Sequence, residues 1–226
     1  MIEDYPKLLR DKNLQIKILH EDEFFVIAYK PSGMLSVPGR GEDKQDCVAS
    51  RVRKLYPQCI QQPSVHRLDM DTSGLLVMAL TTEAHKILSR QFEQRIVKKR
   101  YVALLDGKLT EDKGHEGEIH LAFRLDTDNR PHQIYDAEHG KMGQTLWRIL
   151  EKNEKNTRVE FTPITGRTHQ LRLHASHELG LNLPIIGDPL YGNGKDPGEL
   201  KLHAEFLSFI HPLSDEWLEF NCSPDF

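Results

Sequence analysis

The sequence lacks any hydrophobic run long enough to cross a bilayer. Its longest clean apolar stretch, residues 75–80, has the length of a strand, whereas a membrane-spanning helix needs about 20 apolar residues. The first residues, MIEDYPKLLRDK, mix both charges and lack the basic-then-apolar pattern of a signal peptide. These absences predict a soluble cytoplasmic protein with no membrane partner.

Cysteine is scarce, and metal-binding and nucleotide-binding motifs are missing. The three cysteines, Cys47, Cys59 and Cys222, are odd in number and form no C-x-x-C pair, which excludes a disulfide framework and fits a reducing compartment. His169, His174 and His177 follow no standard ligand spacing, and no P-loop or dinucleotide fingerprint occurs. We therefore predict neither a metal nor another cofactor.

The chain also lacks the positive net charge typical of nucleic-acid-binding proteins, since its formal charge is −4. The excess of acid lies at the end, because DEWLEFNCSPDF has four acidic residues and no basic one. Residues 90–100, RQFEQRIVKKR, hold five basic residues and one acidic residue. Binding to nucleic acid depends on such a local patch more than on the total charge. A solvated helix face is the alternative interpretation of this run.

The pattern of strands and helices predicts an α+β fold in one domain, residues 1–226, with residues 1–14 as an N-terminal extension. Strands follow one another without intervening helices, which favours an antiparallel or mixed sheet. Residues 123–144 are predicted to form a long loop. The predicted helices are 47–56, 82–95 and 168–180; the predicted strands are 14–19, 24–31, 74–80, 99–107, 117–123, 144–150, 157–164, 202–212 and 216–222.

The stretch VHRLDMDTSGLLVMAL places charged residues directly before a buried strand. Asp69 and Asp71 would lie on the same face of an extended segment, as the acid and nucleophile of a glycoside hydrolase could. Asp71 before Thr-Ser-Gly is equally typical of a turn, and DTSG lacks the direct succession and second copy of an aspartic protease. Asp69 near Arg67 is either a structural ion pair or an ionised, positioned carboxylate suited to attack at a sugar carbon.

Two further motifs carry candidate functional residues. In PITGRTHQLRLH, a strand ends, a glycine turns the chain and Arg167 lies near the start of a helix, where an anion is favoured. In KKRY, Tyr101 follows a basic run, as in proteins that stack a base while holding its phosphates. A tyrosine that only packs within a strand is the alternative.

Taken together, the motifs resemble the RluA family of pseudouridine synthases over roughly residues 15–226. The resemblance is carried by KPSGMLSVPGR, HRLDMDTSGLLVMAL, RQFEQRIVKKRYVAL, PITGRTHQLRLH, PIIGDPLYG and LHAEFLSFIHP, in this order. It implies a single catalytic domain around a long, mostly antiparallel mixed sheet with flanking helices and loops, and an active site in a central cleft. It also implies isomerisation of uridine to pseudouridine in RNA, without a cofactor. As in the short members of the family, we expect no separate N-terminal RNA-binding domain.

The resemblance assigns three catalytic roles. Asp69 matches the family's catalytic aspartate, which initiates cleavage of the glycosidic bond. Tyr101 matches the tyrosine that stacks on the target uracil, and Arg167 matches the arginine that pairs with the aspartate.

Substrate binding is assigned in the same way. Arg67 matches the residue that fills the base stack after the uridine has flipped out, and Leu171 matches the apolar residue lining the uracil pocket. His66 and Lys99, which neighbour these residues in the motifs, are also predicted to bind substrate.

The implied partners are structured RNAs, namely 23S ribosomal RNA, the anticodon arm of tRNA, or both. No DNA partner is expected, and the protein is expected to be a monomer. The segment LGLNLPIIGD is two residues longer than the form associated with short family members, which leaves the RNA target open. A catalytically silent RNA-binding protein of the same fold and a nucleosidase or glycoside hydrolase remain the alternatives.

Overall fold

The computed structural model describes residues 16–196 and 198–226. The chain divides into two compact units, the first comprising Met1–Lys98 with Ala204–Ser223 and the second Lys99–His203 with Pro224–Phe226. The predicted N-terminal extension, and the first two residues of the first predicted strand, lie outside the described residues. That the chain forms one domain stays a prediction.

The described residues form ten strands and three α-helices. The strands are β1 (Lys17–Glu21), β2 (Phe25–Lys30), β3 (Ser73–Ala79), β4 (Lys98–Leu105), β5 (Glu116–Leu125), β6 (Gln133–Tyr135), β7 (Lys141–Lys152), β8 (Thr157–Pro163), β9 (Leu202–Ile210) and β10 (Trp217–Asn221). The helices are α1 (Val48–Leu55), α2 (Thr82–Glu93) and α3 (Gln170–Ser176). None of these helices is long and apolar enough to span a membrane.

The first unit contains a sheet in the order β1-β2-β3-β9, with β10 paired to β9. All residues of β2 and β3 are buried, which explains why residues 74–80 form an apolar run without polar alternation. Gly74 at the start of β3 has φ +114°, and a Cβ there would lie 2.3 Å from the carbonyl oxygen of Ala204. Glycine therefore allows β3 to approach β9 closely at the point where the segment that contains Asp69 and Asp71 joins the sheet.

Helices α1 and α2 confirm the predicted helices and begin with side-chain caps. Cys47 and Ser50 form a capping box at the start of α1, and Thr81 Oγ1 accepts a hydrogen bond from the backbone N–H of Ala84 at 3.2 Å. In α2, the side chain of Gln91 bonds both the carbonyl oxygen and the N–H of Ile210, at 2.7 and 2.9 Å. These bonds fix α2 to the end of β9.

The second unit contains an antiparallel sheet in the order β4-β8-β7-β5-β6. Its core includes Leu105, Leu121 and Phe161 from the sheet, and Leu171 from α3. The predicted loop over residues 123–144 was wrong, because β5 extends to Leu125, β6 spans Gln133–Tyr135 and β7 begins at Lys141. Strand β6 has only three residues, too few to show a period of two in the sequence.

The third predicted helix was too long, since α3 ends at Ser176 and His177 is already extended. The chain then folds back, and the N–H of Leu181 donates to the carbonyl of His174 at 3.0 Å. A Cβ at Gly180 would lie 2.0 Å from that same carbonyl oxygen. Gly180 therefore serves the return of the chain, not the end of the helix.

His174 of α3 is fully buried, and neither ring nitrogen has a hydrogen-bond partner among the described residues. Its ring contacts Phe123 edge-on at 5.9 Å between ring centroids. Burial, reinforced by the charges of His120 and His177, lowers the pKa of His174 from 6.5 to about 4. The neutral imidazole is therefore the form that this fold accommodates.

We expect acid to destabilise the protein through His174. Because its pKa is about 4 in the folded protein and ordinarily 6.5, the unfolded chain binds the extra proton, and stability falls as pH drops from 6.5 to 4, by roughly 3 kcal/mol in total. His174→Leu should flatten this part of the curve of unfolding free energy against pH. The exposed His115→Leu is the control; an unchanged slope in His174→Leu would refute the assignment.

Candidate active site

The predicted site residues fall into two groups, one in each unit. The first unit contains His66, Arg67 and Asp69; the second contains Lys99, Tyr101, Arg167 and Leu171. The first group directly precedes β3, and the second lies in β4, in α3 and in the turn before α3, so each group is attached to regular elements. Assembly of the two groups into one site stays a prediction.

The loop that carries Asp69 is fixed through its main chain. The N–H of Thr72 donates to the carbonyl of Asp69 at 3.1 Å, and the N–H of Gly33 donates to the carbonyl of Met70 at 3.0 Å. Ser32 Oγ donates to the carbonyl of Asp71 at 2.5 Å. None of these bonds uses the half-buried Asp69 carboxylate, which leaves it available for chemistry.

Lys30 lies beneath this loop and is fully buried. Its ammonium donates to the carbonyls of Met70 at 2.7 Å and Pro31 at 2.9 Å. Burial lowers the pKa of Lys30 to about 7, against the opposing charges of Asp71 and Asp69. The Lys30 amine thus faces the carbonyls of Pro31 and Met70 and lies within the electrostatic range of both aspartates.

The ring of His66 bonds and stacks within the protein. Its Nε2 accepts a hydrogen bond from the N–H of Val77 in β3 at 3.1 Å, so the neutral ring carries its proton on Nδ1. The ring stacks on Phe92 of α2, with 4.4 Å between centroids and an interplanar angle of 19°. These contacts lock the start of the loop, and the predicted contact of His66 with substrate stays a prediction.

Arg67 is exposed, and the ion pairs of the described residues include none between Arg67 and Asp69. The alternative of a structural Asp69–Arg67 pair is therefore not supported. An exposed guanidinium next to the loop remains free to contact a partner.

In the second unit, Arg167 lies in the turn between β8 and α3. Its Nε donates to the carbonyl of Met142 at 2.8 Å, and its N–H donates to Oε1 of Gln170 at 3.2 Å. Gln170 is buried and also donates through Nε2 to the carbonyl of Gln144 at 3.0 Å and to Thr145 Oγ1 at 2.9 Å. The amide of Gln170 thus fastens the arginine turn to β7.

Lys99 and Tyr101 both belong to β4. A Cβ at Gly166 would lie 3.6 Å from Nζ of Lys99, so the ammonium lies over the turn that precedes Arg167. Burial lowers the pKa of Lys99. Tyr101 is half-buried opposite Phe161 of β8 and packs against the same core as Leu171. This unit therefore brings the tyrosine and the predicted pocket leucine to one hydrophobic cluster.

A buried ion pair supports α3. Arg172 donates to Asp188 through Nε at 2.8 Å and through Nη2 at 2.6 Å. Asp188 also accepts the N–H groups of Leu190 and Tyr191, and Tyr191 Oη lies 2.9 Å from Nδ1 of His169. Burial raises the pKa of Asp188, but Arg172 and the backbone donors outweigh it, and the pKa lies below its ordinary value.

Sequence reasoning missed the residues that position the site. Lys30, Ser32 and Ser36 stand in KPSGMLS, and Gln170 stands in GRTHQLR; all four are buried. Polar residues inside otherwise apolar motifs are a usable signal, but most of their partners are main-chain groups, and several of these are distant in sequence. Among the described residues, no group of histidine, cysteine, aspartate or glutamate is placed to hold a metal ion.

Comparison with known proteins defines the class. The family model described as RNA pseudouridylate synthase matches residues 24–177. The structure of human RNA pseudouridylate synthase domain containing 1 superposes with a TM-score of 0.73 at 30% identity, covering 93% of this chain and 83% of that one. The chain belongs to the RNA pseudouridylate synthase family, and the predicted α+β fold of this class is confirmed. It is an RNA-binding isomerase that makes pseudouridine, and a silent protein or a hydrolase is not favoured.

Within this family, the chain is similar to proteins named RluA. The chain is 46% identical over 215 residues to dual-specificity RNA pseudouridine synthase RluA of Pasteurella multocida (strain Pm70), covering 93% of this chain and 94% of that protein. It is 44% identical over 230 residues to the protein of the same name from Haemophilus ducreyi (strain 35000HP / ATCC 700724), covering 100% and 99%. The predicted resemblance to the RluA family, in particular to its short member RluA, is confirmed.

Proposed function

We propose that this protein isomerises specific uridines in stem-loops of 23S ribosomal RNA, of the tRNA anticodon arm, or of both, with Asp69 initiating cleavage of the glycosidic bond. The observation that carries the proposal is the set of hydrogen bonds around Asp69, which hold the loop through main-chain groups and do not involve the Asp69 carboxylate. The relatives named dual-specificity synthases support a choice of two RNA classes.

The proposed reaction balances without an external reactant. The uridine flips out of its stem-loop at a cost of a few kcal/mol. Asp69 then attacks carbon 1′ or removes the 2′ proton, and the bond between ribose and the ring nitrogen breaks. The uracil turns within the pocket and rejoins the ribose through carbon 5. In the first route this new bond displaces the Asp69 carboxylate from carbon 1′, and in the second route Asp69 returns the proton to carbon 2′. Carbon 5 loses its proton and the released ring nitrogen gains one, which restores the aromatic ring of an isomer.

The other predicted residues would hold the uracil and the RNA. Tyr101 stacks on the base, Leu171 keeps the pocket dry, and Arg167 pairs with the Asp69 carboxylate. Arg67 fills the gap left in the base stack, which its exposure allows. The side chains predicted to contribute further contacts to the substrate are His66 and Lys99.

We further propose that the protein acts as a cytoplasmic monomer with one catalytic domain, on RNA and not on DNA. The reaction needs only the ionised carboxylate and a closed pocket, and the proposal includes no metal or organic cofactor.

The substrate is assigned by tritium release from uridine labelled at carbon 5. Unmodified 23S rRNA fragments and unmodified tRNA are incubated separately with the protein, and DNA of the same sequences with deoxyuridine labelled at carbon 5 in place of thymidine serves as the control. Release from one RNA or from both identifies the substrate class. Tight binding without release from either RNA would contradict the proposed targets, and free uracil in the supernatant would indicate hydrolysis instead.

A further inference from the structure

Ser36 makes two hydrogen bonds with a single residue, Leu68. Its Oγ donates to the carbonyl of Leu68 at 2.7 Å and accepts from the N–H of Leu68 at 3.0 Å. Both residues are buried, at 3% and 4% exposure. One hydroxyl therefore satisfies both main-chain groups of the residue that directly precedes Asp69.

The main chain of Ser36 is hydrogen-bonded to helix α1. The N–H of Ala49 donates to the carbonyl of Ser36 at 3.1 Å, and the N–H of Val48 donates to the carbonyl of Leu35 at 2.9 Å. Both donors belong to the first turn of α1, where N–H groups have no partner within the helix. The hydroxyl thus connects the start of α1 to the loop that carries Asp69.

Different residues hold the main chain before Asp69 and after it. Lys30, Ser32 and Gly33 hold the carbonyls of residues 70 and 71, which follow Asp69. Among the hydrogen bonds of the described residues, those of Ser36 are the ones that hold Leu68 on the preceding side. Removing the hydroxyl would leave a buried N–H and a buried carbonyl without partners, while the following side stays fixed. The peptide between residues 68 and 69 would then rotate, and the Asp69 carboxylate would move with it.

We propose that Ser36 is a positioning residue for Asp69, which sets the direction of the carboxylate through the Leu68 main chain. This inference rests on the proposed role of Asp69 in cleavage. Ser36 needs no contact with RNA, so it acts on the rate of the chemical step and not on binding.

The test compares Ser36→Ala with Ser214→Ala. Ser214 is an exposed serine of the same unit, and its Oγ donates to Oε2 of Glu216 at 3.2 Å. The readout is the single-turnover rate of pseudouridine formation at saturating protein, with RNA affinity measured separately. A small displacement of a catalytic group costs up to about 100-fold. We expect a loss of about 10- to 100-fold in rate for Ser36→Ala, with affinity within about 2-fold, and no change in rate for Ser214→Ala.

Other outcomes separate the inference from the proposed function. A normal rate in Ser36→Ala beside an inactive Asp69→Asn would overturn the positioning role alone, and so would a loss of affinity at constant rate. An active Asp69→Asn would overturn the role of Asp69 and the inference with it. If Ser36→Ala does not fold, Ser36→Cys carries the test, because a thiol bonds weakly at longer distance; its rate should fall by at least about 3-fold, and an unchanged rate would overturn the inference.

Discussion

Asp69→Asn is expected to abolish pseudouridine formation, with a fall of about four orders of magnitude in the single-turnover rate, as when other enzymes lose a central catalytic group. Asparagine has nearly the same shape, but its amide is a poor nucleophile and a poor base. The fold should persist, because the loop is held by main-chain bonds to Gly33, Ser32 and Ser36, none of which uses the carboxylate.

The measurement is the conversion of uridine in a stem-loop RNA, with RNA affinity and thermal unfolding recorded on the same preparation. Asp43→Asn, an exposed aspartate in the same unit, is the matched control and should retain the full rate. Retention of more than about 1% of the rate in Asp69→Asn would remove the carboxylate from the chemical step.

The largest loss of stability is expected from Arg172→Met. The guanidinium and the carboxylate of Asp188 are only 3% and 0% exposed, so removal of the cation leaves a buried, unpaired charge, at a cost of about 3–5 kcal/mol. Lys108→Met is the control, because Lys108 and Glu154 form a pair at 2.9 Å with 46% and 88% exposure. Exposed pairs of this kind are screened by solvent and contribute little to stability, so Lys108→Met should leave the free energy of unfolding almost unchanged.

Denaturant unfolding of both variants gives the comparison. The second substitution Asp188→Asn in the Arg172→Met background should recover part of the loss, since the amide oxygen still accepts the N–H groups of Leu190 and Tyr191 without a charge. Equal losses in Arg172→Met and Lys108→Met would show that the buried pair contributes no more than a surface one.

The elements that were predicted correctly are those with a local signal in their own residues, such as an apolar run, a helical spacing or a cap. β3 followed from an unbroken apolar run, and α2 from helical spacing with Thr81 as its cap. β6 was missed because three residues carry no period, and α3 was extended too far because Gly180 resembles a helix stop. Glycine is needed at position 180 because a Cβ there would lie 2.0 Å from the carbonyl oxygen of His174. This close approach exists only once the chain has folded back.

The same distinction holds for the candidate site. Asp69, Tyr101 and Arg167 follow from motifs because each lies in a characteristic run of neighbours. The residues around them, such as Ser36 and Gln170, bond largely to main-chain groups, and a main-chain group has no side-chain identity that a sequence could reveal. For His66, the motif predicted a contact with substrate. In the structure, its ring accepts a hydrogen bond from the N–H of Val77 and stacks on Phe92.

All three cysteines lie in the first unit, and they differ in accessibility: Cys47 and Cys222 are buried, while Cys59 is half-buried. A maleimide dye should therefore react first at Cys59, just after α1, and give a singly labelled protein without engineered cysteines. The two slower thiols would then report local opening of the first unit only, since the second unit contributes no thiol signal. The native chain thus provides a fluorescent marker and an exchange probe for the unit that carries Asp69.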